Sequence, residues 1–132
     1  MVVVDFVDGP DFGTQFDRVV GASPQAVYVR NSAYFATNRD VLQDLQTKYK
    51  LPLFCSDPTI YPKAMVSYGA NGAAVVRKTG SYVDAILRGT KPQDLPVAQP
   101  TVFDFAVNLA TAKALGITIP PSILAQATRI IE

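Results

Sequence analysis

Residues 26–55 read AVYVRNSAYFATNRDVLQDLQTKYKLPLFC, and the rhythm within them decides the fold class. Ala26-Val27-Tyr28-Val29 is a short apolar, β-branched run of the kind that forms a buried strand. Thr37-Asn38-Arg39-Asp40 has capping-box spacing and opens a helix with Val41, Leu42, Leu45 and Tyr49 on one face. Leu51-Pro52-Leu53-Phe54-Cys55 is a second short strand, with Pro52 at its start because proline cannot donate to a sheet ladder. Strand, helix, strand with short connections implies parallel pairing through a helical crossover. Near-continuous apolar strands imply a sheet covered on both faces.

The same rhythm extends towards the N-terminus. Val2–Val7 reads as a further strand, and Asp8-Gly9-Pro10 as the turn that ends it. A helix follows, with Asp11 as cap, Phe12, Phe16, Val19 and Val20 on one face, and Gly21 as its stop. The first 55 residues thus predict β-α-β-α-β. The expected fold is a three-layer α/β, Rossmann-like parallel sheet with helices on both faces.

Beyond Cys55 the pattern changes. Asp57-Pro58 to Pro62-Lys63 is a loop, and Met65–Gly69 is a short extended piece. A long helix spans about Asn71 to Arg88, with Val76, Val83 and Leu87 on one stripe and Gly89 as stop. Thr90 to Pro100 is an ordered connection rich in proline. Thr101 to Val107 alternates around Phe103 and Phe105 as a strand does, and Asn108 caps a short helix ending at Gly116. Pro120-Pro121 opens a last helix carrying Ile123, Leu124, Ala127, Ile130 and Ile131.

Composition narrows the function classes. Apolar residues are 48% and charged residues 17% of the 132, so a packed core is expected. Twelve Lys and Arg against eleven Asp and Glu give a net charge of +1, too even to draw nucleic acid. With no His and one Cys, Cys/His zinc sites, Cys-His nucleophiles and Ser-His-Asp triads are excluded. No glycine-rich phosphate loop occurs, and no cofactor is called for. No stretch has the roughly 20 apolar residues of a membrane span. The start lacks a basic region and a cleavage site, so the chain as written is expected to stay in the cytoplasm.

Four groups of residues can carry chemistry, each with a plainer reading beside it. Asp5, Asp8 and Asp11 gather after the first strand, where they can hold Mg²⁺ in a small flavodoxin-like enzyme or simply serve turns and caps. Arg30-Asn31-Ser32-Ala33-Tyr34 follows the Ala26–Val29 strand, where ligands sit in open parallel sheets. Arg30 can take a carboxylate bidentately; the same residues also make an ordinary polar loop. In Cys55-Ser56-Asp57, Asp57 can accept from an ammonium group or make an Asp-Pro turn, while Cys55 reads as a small buried residue. Gly69-Ala70-Asn71-Gly72 can meet an anion at a helix start or only permit a tight turn. No nucleophile–base pair assembles, which favours binding over catalysis.

From Met65 onwards MVSYGAN, and then SYVDAILRGTKPQDLPVAQPTVFDFAVNLATAKALGITIPPSILAQATRIIE, closely resembles the C-terminal end of ABC-transporter substrate-binding proteins of the type I periplasmic-binding fold. Upstream, QAVYVRNSAYF and LQTKYKLPLF resemble the preceding part of the second lobe. One departure is Lys63-Ala64, where that family usually has two glycines. The resemblance implies an incomplete type I fold: residues 1–66 as a second-lobe portion, and 67–132 as a crossover with returning first-lobe elements. It implies an extracytoplasmic solute receptor that is not an enzyme, binds a small ligand such as an amino acid, aromatic ones included, and docks on an ABC permease. By position it implies Asn31, Ser32 and Tyr34 in one ligand loop, Ser56 and Asp57 in another, and Ser67, Tyr68 and Asn71 near the hinge. Elements left without partners suggest a homodimer or larger homo-oligomer, and the alternative of an interaction module without a ligand.

Overall fold

Helical amphipathicity and strand alternation place the core on one side of the sheet first. The computed structural model describes residues 4–6 and 11–132. Helix α1 (Phe12–Gly21) starts at Asp11, whose carboxylate accepts from the Thr14 amide at 3.0 Å. Phe12, Phe16 and Val19 repeat every three to four residues and are buried. Strand β1 (Val27–Val29) leads to a short helix α2 (Ala33–Thr37) and then α3 (Arg39–Tyr49), which buries Leu42 and Leu45. Strand β2 (Leu53–Cys55) follows, then β3 (Val66–Ala70), α4 (Gly72–Leu87), β4 (Phe103–Asn108), α5 (Leu109–Leu115), α6 (Pro121–Leu124) and β5 (Arg129–Ile131).

The five strands form one sheet in the order β1-β2-β3-β4-β5. Pairs β1–β2, β2–β3 and β4–β5 are parallel, whereas β3 and β4 run antiparallel, with Tyr68 opposite Phe105 and Ala70 opposite Phe103. The sheet is therefore mixed within an α/β architecture. Strand alternation sends Val29, Leu53 and Cys55 to one face, where α1 and α3 cover them. Phe54 and Val66 point the other way and pack with Met65, Ala112 and Leu115, so α5 covers part of the second face.

Two local expectations need correction. The last predicted helix ends at Leu124, and Ile130 and Ile131 lie in β5. An apolar pair at that spacing serves either period; the open edge of β4 supplies the hydrogen bonds that select the strand. The predicted capping box does not form, because the Thr37 hydroxyl bonds back to the Ala33 carbonyl and Asn38 is the cap of α3. Helix α1 ends at Gly21 as expected, with the positive φ that follows it at Ser23 (50°), and Gly89 and Gly116 end their helices with positive φ. Most of the expected Val2–Val7 strand, and the Asp8-Gly9-Pro10 turn, lie outside the described residues.

Helix α4 stands apart energetically. None of its sixteen residues is buried, and Val75, Val76, Val83, Ile86 and Leu87 meet solvent. An apolar stripe of this length normally faces a packing partner.

Candidate ligand-binding edge

The carboxyl ends of β1, β2 and β3 lie side by side, with Val29 in register with Cys55 and Cys55 with Ser67. One residue further along come Arg30, Ser56 and Tyr68, then Asn31 and Asp57. Topology thus gathers residues from three separate stretches of sequence onto one edge, the place where open α/β sheets bind ligands.

Asn31 and Arg30 are exposed there. Ser32 caps α2, its hydroxyl accepting from the Phe35 amide at 3.3 Å. Tyr34 turns towards the core: its hydroxyl accepts from Gln15 Nε2 at 3.1 Å and its ring packs against Phe12 and Phe35. Ser56 is half-buried, and its carbonyl oxygen lies so close to Gly69 that a methyl group on that residue would overlap it. Asp57 makes an Asx turn, with Oδ1 accepting from the Thr59 amide at 2.8 Å and the Thr59 hydroxyl at 2.6 Å. Among the described residues Oδ2 accepts no hydrogen bond and no basic side chain pairs with the carboxylate, so it keeps acceptor capacity.

Ser67 and Tyr68 alternate across the sheet. Ser67 is buried on the α1/α3 side beside Cys55, and among the described residues its hydroxyl has no partner. Tyr68 lies on the opposite face, 60% exposed and stacked on Phe103. Asn71 is committed to structure. Its Nδ2 donates to both oxygens of Asp104 at 3.1 and 2.8 Å, its Oδ1 caps α4 through the Ala74 amide, and its own amide donates to the Val102 carbonyl. Of the acidic cluster, Asp11 is a helix cap, Asp5 is exposed and Asp8 is outside the described residues; no group of metal-ligating side chains is present among those described.

Burial fixes the state of Cys55. Desolvation pushes its thiol up to about 11, against a contribution from the Asp57 carbonyl, which accepts from Sγ at 3.5 Å. Desolvation likewise raises the Tyr61 phenol, whose buried hydroxyl also has no partner among the described residues. Unfolding returns the thiol to about 9, so between about pH 9 and 11 the unfolded chain holds fewer protons than the folded one. Stability is accordingly expected to fall as pH rises through that window. Cys55→Ala measured beside the wild type by thermal unfolding should show a shallower decline; equal slopes would contradict it. At neutral pH the folded thiol should resist iodoacetamide until denaturant is added.

Two features were not legible beforehand. Phe103 joins Tyr68 although 35 positions separate them, a pairing that only the antiparallel register reveals. The Ser56–Gly69 approach is likewise visible only in three dimensions. A separate groove of about 460 Å3 runs between α4 and residues 98–102, lined by Val75, Lys78, Tyr82 and Pro100 among others, and includes none of the strand-end residues.

Comparison with known proteins places this edge in context. The model of the family described as ABC transporter substrate binding protein matches residues 16–131. A conserved domain protein from Vibrio cholerae is 28% identical, with a TM-score of 0.75 over 86% of this chain and 38% of that one. The ABC domain from Streptococcus pneumonia in complex with L-Trp is 26% identical, with a TM-score of 0.76 over 86% of this chain and 39% of that one. A ligand-free, open substrate binding protein from Clostridium difficile shares the fold at 22% identity and a TM-score of 0.65, over 95% of this chain and 43% of that one. No curated protein matches significantly. The chain spans about two fifths of the length of these structures. With the match running over nearly all its residues, the chain belongs to the ABC transporter substrate-binding protein family.

Proposed function

We propose that this chain supplies one wall of the ligand cleft of an extracytoplasmic solute receptor for an ABC importer, without enzymatic activity, and that the ligand is an amino acid. The observation that carries this reading is the convergence of Asn31, Ser56, Asp57 and Tyr68 on one sheet edge in a member of a substrate-binding family. Asp57, with a free carboxylate oxygen, suits the ligand ammonium. Asn31 and Ser56 offer donors to its carboxylate, and Tyr68 rather than the core-facing Tyr34 offers a ring. The neighbour holding L-Trp makes an aromatic amino acid the first ligand to try.

In this reading residues 1–66 belong to the second lobe and 67–132 to the crossover and returning elements. One buried cluster is drawn from residues up to Ala64, and a second joins Phe54, Met65 and Val66 of the first portion to Ala112 and Leu115 of the second. The permease is the partner in transport.

The chain contains no tryptophan, so the fluorescence of added L-tryptophan can be followed without protein background in its own band. Saturable change is expected with the wild type. Asp57→Ala is expected to weaken binding about tenfold or more, since a hydrogen bond to a charged group contributes roughly 1.5–3 kcal/mol. Equal affinities would remove Asp57 from the site. Stabilisation by Mg²⁺ with indifference to amino acids would instead favour the enzyme reading.

A further inference from the structure

We propose that α4 docks against α4 of a second copy of this chain in an antiparallel two-fold pair, joined by a Val76-Val83-Leu87 seam and by two reciprocal Arg77–Asp84 ion pairs. The proposal does not depend on the ligand-binding reading. Its first support is the way α4 is divided. Ala74, Tyr82 and Ala85 are half-buried on one side, and the Tyr82 hydroxyl donates to the Pro96 carbonyl at 2.5 Å. On the opposite side Val76 is 71%, Val83 51% and Leu87 82% exposed. At helical pitch these three residues and Gly80 fall in a stripe about 60° wide. A helix held by one face and apolar along the other has a seam to bury.

The second support is spacing and charge. Val76, Gly80, Val83 and Leu87 follow one another at intervals of four, three and four residues, the alternation that keeps one stripe facing a partner helix. With Val76 opposite the partner's Leu87, and Gly80 opposite the partner's Val83, every seam residue of an antiparallel pair meets a seam residue. Charge selects that orientation and that partner. Arg77 and Asp84 each directly follow a seam valine, so they lie on the same flank. Like flanks face each other in an antiparallel pair. Arg77 then lies across from the partner's Asp84 with an axial offset of about 3 Å, and the two-fold axis repeats the contact with the roles exchanged. Arg77 is exposed and, among the described residues, in no ion pair or hydrogen bond. Asp84 accepts from Arg88 Nε at 3.0 Å through Oδ1, which leaves Oδ2 for the partner. The other flank carries Gly72, Thr79 and Ile86 and no charge, so a parallel pair, in which unlike flanks meet, leaves both ions without a counterpart. Sixteen residues give about 24 Å of contact, at the small end of specific interfaces, so the expected association is micromolar.

Sedimentation velocity on the full chain, from about 5 to about 500 µM, is expected to show a reversible monomer–dimer equilibrium. Leu87→Lys is expected to weaken it about tenfold or more by placing a charge in the seam. Arg77→Asp and Asp84→Arg each set like charges together at both contacts, and each alone is expected to weaken self-association about tenfold or more. Mixed in equal amounts, the two reversal variants bring opposite charges back to both contacts and are expected to dimerise as tightly as the wild type. General apolar adhesion would not produce that rescue. Circular dichroism checks that each variant is folded, and Asp84→Lys carries the same test should Asp84→Arg not fold. A wild type that stays monomeric across the range overturns the proposal and leaves the seam to a partner other than this chain. A dimer that neither Leu87→Lys nor the reversals weaken also overturns it. So do two folded reversal variants that remain monomeric when mixed.

Discussion

Gly69→Ala is expected to destabilise the protein by about 3 kcal/mol or more, a large share of the 5–15 kcal/mol that holds a typical domain together. The reason is steric and local. A methyl group at that position would overlap the backbone carbonyl oxygen of Ser56, and backbone cannot rotate away as a flexible side chain can. Accommodation requires β3 and the end of β2 to part, and that breaks the pairing next to Phe54–Val66 and Cys55–Ser67. Gly80 provides the contrast. It lies inside α4 with open space around it, so Gly80→Ala should stabilise by up to about 1 kcal/mol through helix propensity. Urea unfolding of the two variants beside the wild type checks both signs. A wild-type midpoint for Gly69→Ala would mean that the edge is more plastic than its geometry implies. In the proposed receptor role, Gly69→Ala should also weaken L-tryptophan binding in whatever fraction remains folded, because Ser56 and Asp57 ride on the same turn.

This contact illustrates how far the sequence could be read. Helices α1, α3 and α5 were legible because their apolar residues repeat at helical spacing and their caps, Asp11 and Asn108, bond as the residue type suggests. The edge of β1 and β2 was legible because short apolar runs bounded by polar turns have few other solutions. Ile130 and Ile131 were misread because adjacent apolar residues fit a helix face or a strand equally, and the free edge of β4 that decides between them lies more than twenty residues earlier. Antiparallel pairing of β3 with β4 was hidden for the same reason: fifteen or more residues of helix separate the strands, and helical crossovers usually return a parallel one. For the candidate edge, residue types were visible but commitments were not. Nothing in the spacing shows that Asn71 is spent on Asp104 and a helix cap, or that Tyr34 faces Gln15. Those are long-range hydrogen bonds, and they decide which polar side chains remain for a ligand.

Gln46→Leu is expected to cost about 2–4 kcal/mol, although the two side chains are close in size and the site is 1% exposed. A buried glutamine on an apolar helix face looks like a defect until its partners are traced. Its Oε1 accepts from the Leu53 amide at 3.0 Å, and its Nε2 donates to the Lys63 carbonyl at 2.9 Å. Gln43, one turn earlier, accepts from the Lys63 amide at 2.7 Å. From the other side the Thr111 hydroxyl donates to the same Lys63 carbonyl at 3.0 Å, and Asn108 Nδ2 donates to the Pro62 carbonyl at 3.0 Å. Side chains from α3 and from the β4–α5 corner therefore converge on one loop, the loop that begins at Ser56-Asp57. Leucine at position 46 would leave the Leu53 amide buried without an acceptor, while the Lys63 carbonyl would keep Thr111. Thr111→Val alone should accordingly be mild, because Gln46 still serves that oxygen. Combined with Gln46→Leu, it removes both side-chain donors recorded on the carbonyl, so the double variant should lose more stability than the two single losses added together. Strict additivity in that cycle, measured by urea unfolding, would show that the two donors do not share a load. Positive coupling would identify Lys63 as the point where the Ser56–Lys63 loop is fastened to both α3 and the β4–α5 corner, and would explain why α3 keeps two buried glutamines, Gln43 and Gln46, beside Leu42, Leu45 and Leu53.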